Sequence, residues 1–293
     1  MNEHMNERKA AIDSLAPLRD IISNHDLNAK KSLGQNFLLD MNITDKIVRE
    51  AVMRDGDDWR DVNAFEIGPG PGGLTRSILK TSAVNLYAIE FDKRAVLALQ
   101  SLCDASQGDL TILQQDALKT DLTELADAPR VIVANLPYNI ATPLLISWLK
   151  QIRNDNQSYK SMTLMFQKEV ADRITAAPNT KAYGRLAIIT QWLCQVVKIY
   201  DLPPSAFTPP PKVMSAVVHF TPKILDEEMP DFADIERVTA AAFNQRRKMI
   251  RQSLKTYMPA IKALGIKPTL RAENLSVQDY LNIASFETSI MKE

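Results

Sequence analysis

The sequence predicts a doubly wound, mostly parallel α/β sheet followed by a small helical C-terminal domain. Three observations carry this. From about residue 43 to 200, short apolar runs alternate with amphipathic stretches, the pattern of repeated strand–helix units. Four of the nine glycines fall within six residues, at Gly68, Gly70, Gly72 and Gly73, directly after one such run. A chain with so few glycines places them together where the backbone must turn tightly or let a ligand approach. Beyond Pro222 the strand signal stops and a helical, charge-segregated pattern replaces it.

Taken in order, residues 1–29 form a polar extension with one short helical pattern, Pro17 to Ser23, expected to be a surface segment. The first strand ends at Ala64–Ile67. Further strands are expected at Val84–Glu90, Leu110–Gln114, Arg130–Ala134 and Met162–Phe166. Helical patterns lie between most of them, at Leu74–Lys80, Lys93–Leu102, Pro143–Lys150 and Lys168–Ala176. Two more strand-like runs, Val196–Leu202 and Ser215–Phe220, flank the prolines at 203, 204 and 209–211. Those prolines mark loop or sheet edge, since proline cannot complete a central ladder. The expected organisation is an extension over 1–29, an α/β domain over 30–223 and a helical domain over 224–293.

Composition excludes several classes. The 35 basic and 35 acidic residues cancel, so a nucleic-acid partner must be held by a local patch and not by the field of the whole molecule. Two cysteines, Cys103 and Cys194, and three scattered histidines, His4, His25 and His219, build neither a disulfide framework nor a zinc site. No apolar stretch approaches the ~18 residues of a membrane helix. The first residues are polar and include acids, unlike a secretory signal, so a cytoplasmic location and no membrane partner are expected.

The glycine loop fits two patterns, the dinucleotide G-x-G-x-x-G and the E-x-G-x-G-x-G of methyltransferases. Electrostatics favour the second. A pyrophosphate wants backbone N–H donors and no anion nearby. Here Pro69 and Pro71 remove two donors, and Glu66 sets a carboxylate at the strand end. A ligand carrying a sulfonium and an ammonium, such as S-adenosylmethionine, suits such a site better; a nicotinamide dehydrogenase is the distant alternative. Polar residues also end successive strands. Glu90, about 20 residues past the loop, is placed to accept from ribose hydroxyls. Asp116 could accept from an adenine amine, and Asn135 follows the fourth strand. Singly, each could be a helix cap or turn residue.

Asn135-Leu136-Pro137-Tyr138 suggests a specific chemistry. The lone pair of an exocyclic aromatic amine is delocalised into its ring, so the nitrogen is a poor nucleophile. Two acceptors on its N–H groups, the Asn135 side-chain oxygen and the Leu136 carbonyl, would favour a pyramidal nitrogen aimed at a methyl. Pro137 fixes the preceding carbonyl, and Tyr138 can stack on a base. An ordinary strand-ending turn uses the same residue types.

In the C-terminal segment, Ile224 to Glu236 holds six acids and no base, while Arg237 to Arg271 holds nine bases and no acid. Arg247, Arg251 and Lys255 recur at helical spacing with Lys248 beside them, forming one stripe if the segment is a continuous helix. Phe243, Ile250, Leu254 and Tyr257 would pack inward, with Arg246 near the apolar edge. These bases, Arg246, Arg247, Lys248, Arg251 and Lys255, are either a solvated face or an RNA-binding, phosphate-contacting surface. The acidic run is either a solvated linker or an internal partner of the stripe.

These residues resemble the KsgA-type small-subunit ribosomal RNA adenine dimethyltransferases over nearly all of residues 30–285. The resemblance runs through Lys31–Leu38 (KSLGQNFL), Glu66–Gly70 (EIGPG), Asn135–Tyr138 (NLPY) and Phe166–Val170 (FQKEV). It continues through Lys181–Leu186 (KAYGRL), Pro203–Val213 (PPSAFTPPPKV) and Phe243–Lys248 (FNQRRK). It implies a class I S-adenosylmethionine-dependent methyltransferase sheet of seven strands, with cofactor contacts at Asn36, Leu38, Gly68, Glu90, Asp116 and Asn135; Glu66 and Gly70 join these from the loop. It implies transfer of four methyls to two adjacent adenosines in a hairpin loop near the 3′ end of 16S rRNA, during small-subunit maturation; a monomer is expected. It also implies that Phe207 packs on the target base opposite Tyr138; read from the residues alone, Phe207 serves equally as an apolar anchor for its loop. Two alternatives remain. One is a non-catalytic assembly factor on the same fold. The other is a large-subunit rRNA methyltransferase conferring antibiotic resistance, against which Arg271–Ser276 (RAENLS) points. The extension over 1–29 departs from the family pattern.

Overall fold

The computed structural model describes residues 2–27, 35–225 and 229–290. Lys31–Gly34 of the KSLGQNFL motif and residues 226–228 of the acidic run lie outside the described residues. The chain divides into two compact units. The first comprises Met1–Ser147, Gln157–Lys168 and Lys198–Thr221, the second Trp148–Asn156, Glu169–Val197 and Pro222–Glu293.

The first unit opens with helices α1 (Asn2–Asp13) and α2 (Leu18–Asn24), a short strand β1 (Phe37–Leu38) and helix α3 (Met41–Arg54). Strand–helix repeats follow: β2 (Asn63–Ile67), α4 (Gly73–Leu79), β3 (Asn85–Glu90), α5 (Lys93–Ala98), α6 (Gln100–Ala105), β4 (Leu110–Gln114), β5 (Arg130–Ala134), α7 (Tyr138–Asn154) and β6 (Ser161–Gln167). After α8 (Lys168–Ile174) and α9 (Arg185–Leu193) come β7 (Cys194–Leu202), β8 (Phe207–Thr208) and β9 (Ser215–Pro222). Seven strands make one sheet in the order β4-β3-β2-β5-β6-β9-β7. The pairs β3–β4, β2–β3, β2–β5 and β5–β6 are parallel, and β6–β9 is antiparallel. Covering both faces of a parallel sheet requires strands that are apolar on both sides. Accordingly Ala64–Ile67 and Val131–Ala134 are buried throughout. The chain order reverses between β2 and β5, and ligands bind at such a switch point, outside the carboxyl ends of the strands.

Residues 2–27 lie along the surface as expected, but a few of their side chains are anchored in the core. Ile12 is 1 % exposed and Leu27 fully buried. Ile12 joins the core that contains Leu74, Ile78 and Leu102, and Ile21 and Leu27 pack with Ala95 and Ala98. The expected Lys93–Leu102 helix is two short helices that meet at Leu99.

The second unit is helical: α8 from Glu169 on, α9, α10 (Phe232–Asn244), α11 (Ile250–Ser253), α12 (Met258–Ala263) and α13 (Val277–Ile290). It contains more than the 224–293 segment because α9 needs cover on nearly every side. Six of its nine residues are buried, against α10 and α13. Trp192 lies 6.0 Å from Phe232, and Phe243 stacks on Tyr280 at 6.1 Å, ring centre to ring centre. The basic segment is not one helix. α10 ends at Asn244, and the chain turns to pair with residues 268–271, where the Ile250 N–H donates to the Leu270 carbonyl at 2.7 Å and Met249 bridges Arg271.

Candidate functional site

A cavity of about 240 Å3 opens at the carboxyl ends of β2, β3, β4 and β5, within the first unit. The glycine loop forms its floor. Gly68, Gly70 and Gly72 have φ of +69°, +54° and +91°, a region glycine enters without the Cβ clash that other residues meet. Close approach adds a second requirement. A Cβ on Gly70 would stand 2.8 Å from the Phe37 ring, and one on Gly73 would stand 2.4 Å from the Leu38 carbonyl oxygen. The glycines therefore let β1 lie directly on the loop, which brings Asn36 and Leu38 to the cavity wall.

Glu66 ends in this cavity only 1 % exposed, and its Oε2 has no hydrogen-bond partner among the described residues. Burial pushes its carboxyl up to about 8; the nearby Glu90 adds to the rise, and the Thr75 hydroxyl opposes it. Glu90, 6 % exposed, is held differently. Its Oε2 accepts from the Gly70 N–H at 3.2 Å and its Oε1 from the Asp92 N–H at 2.8 Å. Burial raises its pKa, and these backbone donors pull it back down. Two carboxyls on one wall, one with an unbonded oxygen, fit a ligand that is both cationic and rich in hydroxyls; they suit no pyrophosphate. Asp116 does two things at once. It caps the short 3₁₀ turn at 117–119 by accepting from the Leu118 N–H at 3.0 Å, and it lines the cavity. Among the described residues no three His, Cys, Asp or Glu side chains come together to hold a metal, and no helix is long and apolar enough to cross a membrane.

Asn135 follows β5 and lines the same cavity. Its Nδ2 donates to the Asn36 carbonyl at 2.9 Å. A carbonyl can only accept, so this bond decides which way the amide faces and leaves Oδ1 turned from Asn36. Leu136 is 1 % exposed, and Pro137 packs over Gly68. Tyr138 opens α7, its hydroxyl 2.5 Å from the Ser215 hydroxyl on β9. Thus Asn36, Leu38, Glu66, Gly68, Gly70, Glu90, Asp116 and Asn135–Tyr138 all line one cavity.

Phe207 does not join them. It pairs with Leu38 between β8 and β1, is 3 % exposed, and belongs to the hydrophobic core. Its side chain packs in that core and does not line the cavity. Phe37 and Phe91 line the cavity unanticipated. Phe91 is 66 % exposed directly after Glu90, and an apolar residue past a strand-ending acid was a usable signal. Among the basic residues, Arg247, Lys248, Arg251 and Lys255 are exposed, although on a turn and short helices. Ile250 and Leu254 are buried as expected. Arg246 is part-exposed and is tied down, pairing with Glu273 at 3.2 Å and donating to the Lys181 carbonyl at 2.5 Å.

The family model described as ribosomal RNA adenine dimethylase matches residues 26–288. A curated relative from Ruegeria sp. (strain TM1040), "Ribosomal RNA small subunit methyltransferase A", is 50 % identical over 279 residues, covering 94 % of this chain and 98 % of its own. Among solved structures, a dimethyladenosine transferase from Plasmodium falciparum superposes with a TM-score of 0.70 at 26 % identity, over 83 % of this chain and 94 % of that one. The 23S rRNA methyltransferase ErmE superposes at 0.64 with 21 % identity, over 85 % and 98 %; it shares the fold. A class I methyltransferase sheet, a carboxylate-walled cleft and a match over nearly the whole chain agree: the chain belongs to the ribosomal RNA adenine dimethylase family, an enzyme that takes methyl groups from S-adenosylmethionine and delivers them to ribosomal RNA.

Proposed function

We propose that the protein methylates the N6 amines of two adjacent adenosines in a hairpin loop near the 3′ end of 16S rRNA, within the immature small subunit, giving N6,N6-dimethyladenosines. The observation that carries this is the Asn135 amide. Its nitrogen is committed to the Asn36 carbonyl, so its oxygen is the group presented to an incoming amine. The Leu136 carbonyl is the second acceptor, held by the restriction that Pro137 places on the residue before it. Together they draw on the amine N–H groups and turn its lone pair toward the methyl. The singly methylated nitrogen keeps one N–H, so the same pair of acceptors serves the second transfer. Tyr138, tethered through Ser215, offers a face for the base. Glu66 faces the cationic part of the donor, Glu90 its ribose and Asp116 its adenine amine, with Asn36, Leu38, Gly68 and Gly70 shaping the wall. Catalysis is then positioning for in-line transfer.

The small-subunit reading is supported by the printed name of the half-identical relative and by the RAENLS segment. Asn274 of that segment donates to the Asn179 side chain at 2.9 Å. All the cleft residues come from one chain, in keeping with a monomer. Exposed Arg247, Lys248, Arg251 and Lys255 meet RNA phosphates; Arg246 braces their turn. The test is Asn135→Ala. Donor affinity, read by calorimetry, stays near wild type, while methyl incorporation into undermethylated small subunits falls by about 100- to 1000-fold, the range for a lost transition-state acceptor or donor. Unchanged turnover would overturn the role of Asn135. Mapping the modified adenosines in those subunits checks the substrate.

A further inference from the structure

One side chain joins the loop after β3 to the N-terminal helices. Arg94, near the start of α5, grips Asp92 at two points, Nε to Oδ1 at 3.1 Å and Nη2 to Oδ2 at 2.6 Å. Its remaining branch, Nη1, donates to the Asp26 carbonyl at 2.6 Å. Asp92 is buried. Its backbone N–H donates to Glu90 Oε1, and its side chain caps α5 by accepting from the Arg94 N–H at 3.0 Å. Arg94 therefore stands one residue behind the carboxylate assigned to the cofactor ribose.

The Asp26 carbonyl ends a long attachment. Arg8, 4 % exposed, pairs with Asp109 and donates to the Thr81 carbonyl at 2.7 Å. Lys80 meets Asp13 at 2.5 Å, and Arg76 donates to the Ala16 carbonyl at 2.7 Å. Leu18 lies beside Gly73 of the glycine loop, and Leu27 packs with Ala95 and Ala98. Residues 2–27 thus run from the amino end of β4, past α4, to the ligand end of the sheet. Gln35 and Asn36, which line the cavity, follow a few residues later.

We infer that Arg94 is a positioning residue for donor binding, and that residues 2–27 are a strap that it latches to the Glu90 wall. Two consequences of the latch matter. Fork geometry fixes a buried carboxylate in orientation as well as in charge, and so fixes the Asp92 backbone that feeds Glu90. The guanidinium also offsets the Asp92 charge, which otherwise opposes ionisation of Glu90. The inference rests on Glu90 holding the donor's ribose, so the test separates the two.

Full-length wild type, Arg94→Gln, Arg94→Lys, Glu90→Gln and Arg8→Gln are titrated with S-adenosylmethionine by calorimetry and assayed on undermethylated small subunits. Arg94→Gln weakens donor binding by about tenfold, the loss of a charge-assisted contact. Its kcat at saturating donor and its KM for subunits remain within about twofold of wild type. Arg94→Lys, which keeps the charge without the fork, falls between the two and reports if Arg94→Gln does not fold. Arg8→Gln lowers the melting temperature and leaves donor affinity unchanged. Wild-type donor affinity in both Arg94 variants, with Glu90→Gln weakened, overturns the latch. Wild-type affinity in Glu90→Gln overturns the ribose assignment itself.

Discussion

Glu66 has the most consequential chemistry of any single residue in the cleft. Its carboxyl is buried with one oxygen unbonded and titrates near pH 8 in the free protein. The unfolded chain ionises this group near its ordinary value of 4.5, so the folded state holds an extra proton between those limits. The sign follows: the contribution of this residue to stability is complete below about pH 4.5 and is lost as pH rises through about 8. A cationic donor reverses the preference by favouring the carboxylate. Donor binding at neutral pH should therefore release a proton, and affinity should strengthen as pH rises toward about 8. Calorimetry in buffers of different ionisation heat measures the release directly; Glu66→Gln should abolish it and weaken binding, and zero release in wild type would sink the assignment. The identity of this residue was legible because an acid two residues before a glycine loop is a charge statement that needs no tertiary information. Glu90, Asp116 and Asn135 were legible as polar residues at or just past the ends of strand-like runs. The Phe207 side chain was not, since its direction depends on pairing with Leu38, a contact far away in sequence.

Between elements, the tightest constraint is the seat of β1 on the start of α4. The Gly73 methyl position lies 2.4 Å from a backbone oxygen, which cannot swing aside as a flexible side chain could. Gly73→Ala should push β1 off the loop, costing about 1–3 kcal/mol as overpacking does, and should weaken donor binding because Asn36 and Leu38 move with the strand. Thermal unfolding and donor titration together check this, and a fully stable, fully binding variant would contradict it. The strands themselves were readable: β4 and β5 fall on the residues that their apolar runs mark. α9 gives no helical period because its RLAIITQWL sequence has no continuous polar face, and six of its residues are buried. α3 does carry a signal, Asp40 capping the Asn42 N–H ahead of buried Ile47, Val48 and Ala51. The helix expected through the basic segment breaks because Ile250 and Arg251 donate to carbonyls of Leu270 and Pro268, partners about twenty residues away.

For the molecule as a whole, zero formal charge means that affinity for RNA has to come from a few local cations, and this sets a quantitative expectation. Each phosphate contact releases condensed counterions, so the slope of log affinity against log salt counts contacts, at about 0.7 per charge on single strands and about 0.9 on duplex. Alanine at Lys248, Arg251 or Lys255 should each flatten the slope by up to that amount, with little change in melting temperature, because these side chains are exposed. Arg246→Ala should behave in the opposite way. Its guanidinium is engaged with Glu273 and the Lys181 carbonyl, so its loss lowers the melting temperature and loosens the turn that carries Arg247 and Lys248, without removing a phosphate contact of its own. Filter binding of small-subunit RNA over a potassium chloride series, beside thermal unfolding, distinguishes the two kinds of residue. A slope that survives removal of Arg247, Lys248, Arg251 and Lys255 together would place the RNA on another surface of the protein.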